Sequence, residues 1–339
     1  MAPAGMDCKP PEGAQCRRAL PISMQPLLPK VATGEDFQRI RMNPVDSWVS
    51  AIYPIARRHG LHVKEVARFP AGENPVFDLD GRFVLKLVPK LWAQVIDREV
   101  ECLEFLGKHR TFPAAALVGR GSAEDWVYMI SARLPGRPLP EVWGTMSAHA
   151  REQIAARFGA VLESLHRLPL NGFKPGGPPW PEFVAARIAA WMGRPEVANL
   201  APALRDTGEA FIRGSGIDSD PSAFTLLHGD LAPENLLVAE TDSGWVCSGV
   251  FDFGNAMAGP ASYDFAASTV LLDPGNRTIL ERFFEGYGLQ AASIAGSRRL
   301  IMAYSLMHPL GNVPKLLGLI PGAGEMSSWD EVARAFWPD

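Results

Sequence analysis

Cysteine is scarce: Cys8, Cys16, Cys102 and Cys247 are the only four in 339 residues. They are too few and too scattered for a disulfide framework, and no Cys-x-x-Cys or Cys/His cluster offers a zinc site. Reduced thiols in a cytoplasmic protein are the expectation. No apolar run approaches the roughly 18 residues that span a bilayer, so no membrane association is expected. Met1–Lys30 lacks the continuous apolar stretch of a signal peptide. Its prolines at 3, 10, 11, 21, 26 and 29 oppose a helix, and residues 1–42 are expected to form a partly disordered arm. Basic excess is missing too. Lys and Arg number 33 against 37 Asp and Glu, a formal charge of −4, which excludes a generally basic nucleic-acid binder. Neither Gly-x-x-x-x-Gly-Lys-Ser/Thr nor Gly-x-Gly-x-x-Gly occurs, which argues against a P-loop or Rossmann nucleotide site.

What is present is an ordinary globular composition, 47% hydrophobic and 21% charged. Its charge is divided. Residues 1–133 hold 18 basic and 15 acidic side chains, whereas 134–339 hold 15 and 22, or −7. Asn43-Pro44 predicts the start of a helix through Trp48, Ile52 and Ile55, kinked or ended early by Pro54. Strand patterns follow at Leu61–Phe69, Val76–Leu79 and Arg82–Val88, the last two joined by the hairpin signal Asp80-Gly81. Helical spacing at Glu99, Cys102, Leu103 and Leu106 precedes two more strands at Val118–Gly121 and Trp126–Ser131. Three prolines and a glycine between Leu134 and Pro140 predict a linker. Beyond it Ile154, Phe158, Val161, Leu162 and Leu165 mark one helix face, and further helices are expected at 181–192, 198–213, 263–272, 276–287 and 297–308. Short strands flank 225–252. The expected fold is α+β, with a small antiparallel β-rich lobe over 43–133 and a larger α-rich lobe over 134–339. A cleft is expected where they meet.

The chemistry concentrates in Leu226-Leu-His-Gly-Asp-Leu-Ala-Pro-Glu-Asn-Leu-Leu-Val238, where polar His228, Asp230 and Asn235 sit between two apolar runs. Such groups need partners or work to do. Seventeen residues after Asn235 comes Val250-Phe-Asp-Phe-Gly254, which ends another apolar run on Asp252. Paired as neighbouring strands, the two segments would bring Asp230, Asn235 and Asp252 to one end. A carboxylate and an amide oxygen suit Mg²⁺, and a carboxylate free of metal can take a hydroxyl proton. That combination describes phosphoryl transfer. Lys86, inside the apolar strand Phe83–Val88, requires a buried partner. Of the acids Glu99, Glu101 and Glu104, Glu99 shares the apolar helix face.

His-x-Asp-x-x-x-x-Asn followed by Asp-Phe-Gly resembles the catalytic and metal loops of the protein-kinase-like superfamily. The form His-Gly-Asp-Leu-x-x-x-Asn is similar to the aminoglycoside phosphotransferase family. The resemblance spans roughly 43–339 and implies a two-lobed kinase-like fold. It implies Asp230 as catalytic carboxylate, with Asn235 and Asp252 holding Mg²⁺. Lys86 would sit on the α- and β-phosphates of ATP or GTP, with Glu99 fixing its ammonium. Gly72 and Asn74, in Ala71-Gly-Glu-Asn74, take the place of the phosphate-covering loop. Ser131 and Arg133, in Met129-Ile-Ser-Ala-Arg133, take that of the nucleotide-binding hinge. Gly259-Pro-Ala-Ser-Tyr-Asp264 follows Asp252, and Asp264 would brace the catalytic loop, with His228 bonding loop backbone. No long activation segment with an Ala-Pro-Glu anchor stands there, which argues against a protein substrate.

Within that family, Gly72-Glu-Asn-Pro-Val76, Arg157–Leu170 and Phe336-Trp-Pro-Asp339 resemble hygromycin B 7''-O-kinases. The implied partners are an aminoglycoside and a nucleotide, met by a monomer. The acidic second half suits a polycation, and Glu182, Asp273, Glu281, Glu285, Glu325, Asp330 and Glu331 are candidate contacts. Trp143, Trp180, Trp191 and Trp337 are expected to pack. A choline- or fructosamine-type metabolic kinase of the same fold, and a non-catalytic drug-binding protein, are the alternatives.

Overall fold

The computed structural model describes residues 27–338 apart from Ala71, Arg110, 174–175, 218–219 and Leu310. Two helices come first, α1 (Gly34–Ile40) and α2 (Asp46–Arg58). An antiparallel sheet follows, made of β1 (Val66–Arg68), β2 (Val76–Leu79), β3 (Phe83–Pro89), β4 (Leu117–Ala123) and β5 (Trp126–Ala132), with helix α3 (Ala93–Leu106) between β3 and β4. Spatial order is β1-β2-β3-β5-β4, so β3, which carries Lys86, is the central strand. Three residues, Asp80, Gly81 and Arg82, separate the paired Leu79 and Phe83. Asp80 and Gly81 adopt positive φ, 57° and 66°, and the Arg82 N–H closes the turn on the Leu79 carbonyl at 3.0 Å.

Alternation along β3 and β5 divides the sheet into two faces. Leu85, Leu87, Trp126, Tyr128 and Ile130 point outward, into a core completed by Leu28, Phe37, Trp48 and Ile52. Val88 and Met129 point inward, into a second core that runs through α3 into the rest of the chain. Lys86 is paired with Met129 and shares that inward face.

The larger lobe opens with β6 (Arg137–Pro138), α4 (Leu139–Trp143), α5 (Ala148–His166), α6 (Trp180–Ala189), α7 (Pro202–Arg205) and α8 (Gly208–Arg213). Then come β7 (Phe224–Leu227), β8 (Leu236–Thr241), β9 (Gly244–Val250) and β10 (Met257–Pro260). The chain continues through α9 (Ser262–Val270), α10 (Arg277–Tyr287), α11 (Ala291–Met307), α12 (Val313–Gly318) and α13 (Trp329–Phe336). The segment 228–235 links β7 to β8, and β8 pairs with β9, so Asp230, Asn235 and Asp252 gather at one end as the spacing predicts. Trp180, Trp191 and Trp337 are buried, as expected of packing residues. Among the described residues no helix is long and apolar enough to cross a membrane.

Several boundaries differ from expectation. Residues 1–26 of the expected arm lie outside the described residues, but 27–42 are folded onto the sheet. Leu28 and Phe37 are buried, the Leu27 and Leu28 amides donate to the Glu124 carboxylate at 2.7 and 3.0 Å, and Trp126 Nε1 donates to the Pro29 carbonyl at 2.8 Å. Helix α2 starts at Asp46, not at an Asn43 cap, and runs through Pro54 without ending. An interior proline costs about 3 kcal/mol, and burial of Trp48, Ala51, Ile52, Ile55 and Ala56 offsets it. The first strand is shorter than Leu61–Phe69, because the Lys64 and Glu65 amides bond the Asp80 carboxylate at 2.9 and 2.7 Å instead of a strand. The 134–140 linker is drawn into β6, which pairs with β8. The expected helix 198–213 starts only at Pro202, which holds Ala201 extended (ψ 139°), and it is two helices, parted at Asp206 and Thr207.

Candidate active site

Lys86 is nearly inaccessible, 7% exposed, and Glu99 only 5%. The Lys86 ammonium donates to Glu99 Oε2 at 2.7 Å and to Asp252 Oδ1 at 2.6 Å. Burial opposes its charge, but Asp252 and Glu99 together hold its pKa above the ordinary lysine value. Asp252 is the reciprocal case. Burial would raise its carboxyl, and the Lys86 charge and hydrogen bond bring it below the usual range. Asp252 adopts left-handed backbone, φ 67° and ψ 60°, a conformation non-glycine residues keep where surrounding structure imposes it, often at functional sites.

The β7–β8 loop is held from beneath by Asp264, on the first turn of α9. Its carboxylate accepts from the backbone N–H of His228 at 2.8 Å and of Gly229 at 2.9 Å, and from His166 Nε2 at 3.1 Å. Burial alone would raise its pKa, but the bond and charge of His166 keep it lowered. His166 Nδ1 pairs in turn with the Tyr287 hydroxyl at 2.8 Å. Gly229 turns the loop at φ 81°, and a Cβ there would stand 2.2 Å from the Asn255 carbonyl oxygen, so only glycine fits.

His228 is fully buried and works on backbone, as expected. Its Nε2–H donates to the Phe251 carbonyl at 3.0 Å, and its Nδ1 accepts the Asp230 N–H at 3.3 Å. Burial pushes its pKa down, consistent with that neutral tautomer. The Asp230 carbonyl accepts from the Ala232 N–H and from Asn235 Nδ2 at 2.9 Å, which leaves the Asn235 side-chain oxygen for another partner. The Asp230 carboxyl is raised to about 7, first by burial and then by Asp252, Asp264, Glu234 and Glu73. His308, at the end of α11, donates from Nε2 to the Gly229 carbonyl at 2.9 Å and lies 3.6 Å from Asp230 Oδ1.

Asp230, Asn235 and Asp252 open onto a cleft of about 900 Å³. Gly72, Glu73 and Asn74 line it from the smaller lobe, together with Phe37 and Arg41. Ala267, Val270, Lys315 and Leu316, from α9 and α12, line its far side. An amide oxygen and an ionised carboxylate, with no thiolate or imidazole between them, form a donor set that suits Mg²⁺ completed by phosphate and water.

Not every expected residue reaches this cleft. Ser131 is buried on the inward sheet face opposite Val84. The Arg133 guanidinium pairs with Asp78 and covers the Phe69 ring at 5.7 Å, so its side chain belongs to the sheet and not to the cleft. Of the candidate drug contacts, Glu182 and Glu325 are exposed away from the lining, Asp273 accepts from Asn276 at 2.8 Å, and Glu281 pairs with Arg277 at 2.7 Å. Glu285 pairs with Arg282 and Asp330 with Arg299, while Glu331 accepts from Ser327. Beside Asp230 and Asp252, the acids of the cleft are Glu73 and Glu234, which the motifs contain. His166, His308, Arg41 and Lys315 carry no local sequence signal.

A small antiparallel sheet over a helical lobe, with a lysine–glutamate pair and two loop carboxylates at the junction, defines a phosphotransferase of protein-kinase-like fold. The chain belongs to the phosphotransferase enzyme family, whose profile matches residues 65–300. Among solved structures it is similar to the GDP complex of aminoglycoside 2'-phosphotransferase-IIIa, with a TM-score of 0.64 and 15% identity over 82% of this chain and 97% of that one. The streptomycin–ATP complex of APH(2'')-IIa gives 0.58 and 15%, covering 84% and 97%. Aminoglycoside phosphotransferase APH(3'')-Id from Streptomyces rimosus gives 0.58 and 15%, covering 78% and 98%.

Proposed function

We propose that this chain transfers the γ-phosphoryl group of ATP or GTP to a hydroxyl of an aminoglycoside, hygromycin B or a relative. The observation that carries the reading is geometric: the Lys86 ammonium bonds Glu99 and Asp252 at a cleft that Asp230, Asn235 and Asp252 line together, where burial raises the Asp230 carboxyl to about 7. A base with a pKa near the working pH accepts a proton most effectively, and here it would take the acceptor's hydroxyl proton as the oxygen attacks phosphorus. Lys86 would hold the α- and β-phosphates, preset by Glu99. Mg²⁺ bound by Asn235 and Asp252 would neutralise charge on the transferring group. Support for a cationic acceptor comes from Glu73 and Glu234, which line the cleft and lie close enough to Asp230 to raise its pKa.

The test is a coupled kinase assay across aminoglycosides, choline and sugar amines, with mass spectrometry of the products. A single added phosphate on hygromycin B is the expected result. Transfer to choline or a sugar amine alone would keep the roles of Asp230, Asn235 and Asp252 and make the protein a metabolic kinase. Drug binding without turnover would make it a sequestering protein. Asp252→Ala should abolish Mg²⁺-dependent turnover, and an unchanged Mg²⁺ response would remove Asp252 from the metal site.

A further inference from the structure

The cleft lining carries four carboxylates, Glu73, Asp230, Glu234 and Asp252, and two cations, Arg41 and Lys315. All four carboxylates fall inside the family-matched stretch 65–300, and both cations fall outside it. Arg41 is the better placed of the two. Its Nη1 donates to the carbonyl of Gly72 at 3.1 Å, in the loop that takes the place of the phosphate cover. Its Nε donates to Gln38 Oε1 at 2.7 Å, and its own carbonyl accepts from Arg68 Nη2 at 2.6 Å, tying the end of α1 to β1. No carboxylate among the described residues bonds the guanidinium. Two of its five N–H donors are thus used on neutral oxygens, and the rest remain for an anion in a cleft otherwise rich in negative charge.

A guanidinium held by its backbone and by two hydrogen bonds loses little entropy on meeting a phosphate, and its fork geometry suits phosphate oxygens. We propose that Arg41, supplied by the N-terminal segment that precedes the family-matched stretch, is a phosphate-binding residue that grips the terminal phosphoryl group of the nucleotide while it anchors the covering loop. The inference rests on the nucleotide-dependent reading above and is independent of which acceptor is used.

The test is calorimetric titration of the full chain with ADP and with the β,γ-imido analogue of ATP, both with Mg²⁺. In Arg41→Gln the triphosphate should bind about tenfold or more weakly, the scale of a charge-assisted hydrogen bond, with ADP changed less than twofold. Arg41→Lys, which keeps charge but not the fork, should fall between. Equal weakening of both nucleotides would reduce Arg41 to a loop brace, and unchanged affinity for both would remove it from the site; either overturns the proposal. If Arg41→Gln does not fold, the Arg41→Lys ratio of triphosphate to ADP affinity decides, a ratio equal to wild type overturning it. Wild-type protein that binds neither nucleotide would instead overturn the nucleotide-dependent reading, and this inference with it.

Discussion

Asp230 is a carboxyl whose surroundings are almost all unfavourable to its charge, and that sets its pH behaviour. With a pKa raised to about 7 before any cation sits beside Asp252, the active deprotonated form grows as pH rises, so kcat/KM should climb with pH and level off, the climb moving to lower pH as Mg²⁺ is added. Asp230→Asn should lower turnover by about 10²–10⁴, retain nucleotide binding and lose that rising limb; turnover within a few-fold of wild type would remove the assignment. Asp264 has the opposite sign. Its folded pKa lies below the unfolded value, so its contribution to stability is present above the unfolded carboxylate range and is lost as pH falls through the folded pKa. Asp264→Asn should therefore flatten the acid limb of a stability–pH curve measured by urea unfolding. Asp230, Asn235, Asp252 and Lys86 were legible in the sequence because each interrupts an apolar run where a polar group needs a purpose. His308 and His166 were not, since each acts across the fold on a loop far away in the chain, at Gly229 and Asp264.

Among the elements, strands were read best where the β2–β3 turn fixed their register, and worst where hydrogen bonds went elsewhere, as at Lys64 and Glu65. Helices α1 and α13 escaped notice. Each is short, and its apolar side is defined by what it meets: Phe37 against Trp92, with centroids 5.2 Å apart, and Trp329 against Trp191 at 6.0 Å. Pro54 misled for the same reason, since local propensity was overruled by burial. Removing residues 27–42 should lower the melting temperature and weaken nucleotide binding, because Leu28 and Phe37 seal the outer core and Arg41 leaves with them. Phe37→Ala alone should destabilise by about 3–5 kcal/mol, read as a shifted urea midpoint at constant slope. A midpoint equal to wild type would mean that α1 does not dock.

For the molecule as a whole, the charge split remains, but its acids are mostly engaged: Glu281, Glu285 and Asp330 each face an arginine. On the proposed function, attraction of a polycation would fall to the long-range field and to Glu73 and Glu234. Raising salt from 0.1 to 1 M, where the Debye length falls from about 10 to about 3 Å, should raise KM for an aminoglycoside more than it lowers kcat; a salt-independent KM would discount charge steering. The two hydrophobic cores bear on something else, the order in which a growing chain can close. Among the described residues the outer core draws on those from Leu28 to Ile130 and can assemble once that stretch has left the ribosome. The inner core extends from Val88 to Trp337, whose indole donates to Thr269 Oγ1 at 3.0 Å. The inner core can therefore close completely only when synthesis has reached the end of α13, so the larger lobe must stay open longer than the outer face of the sheet.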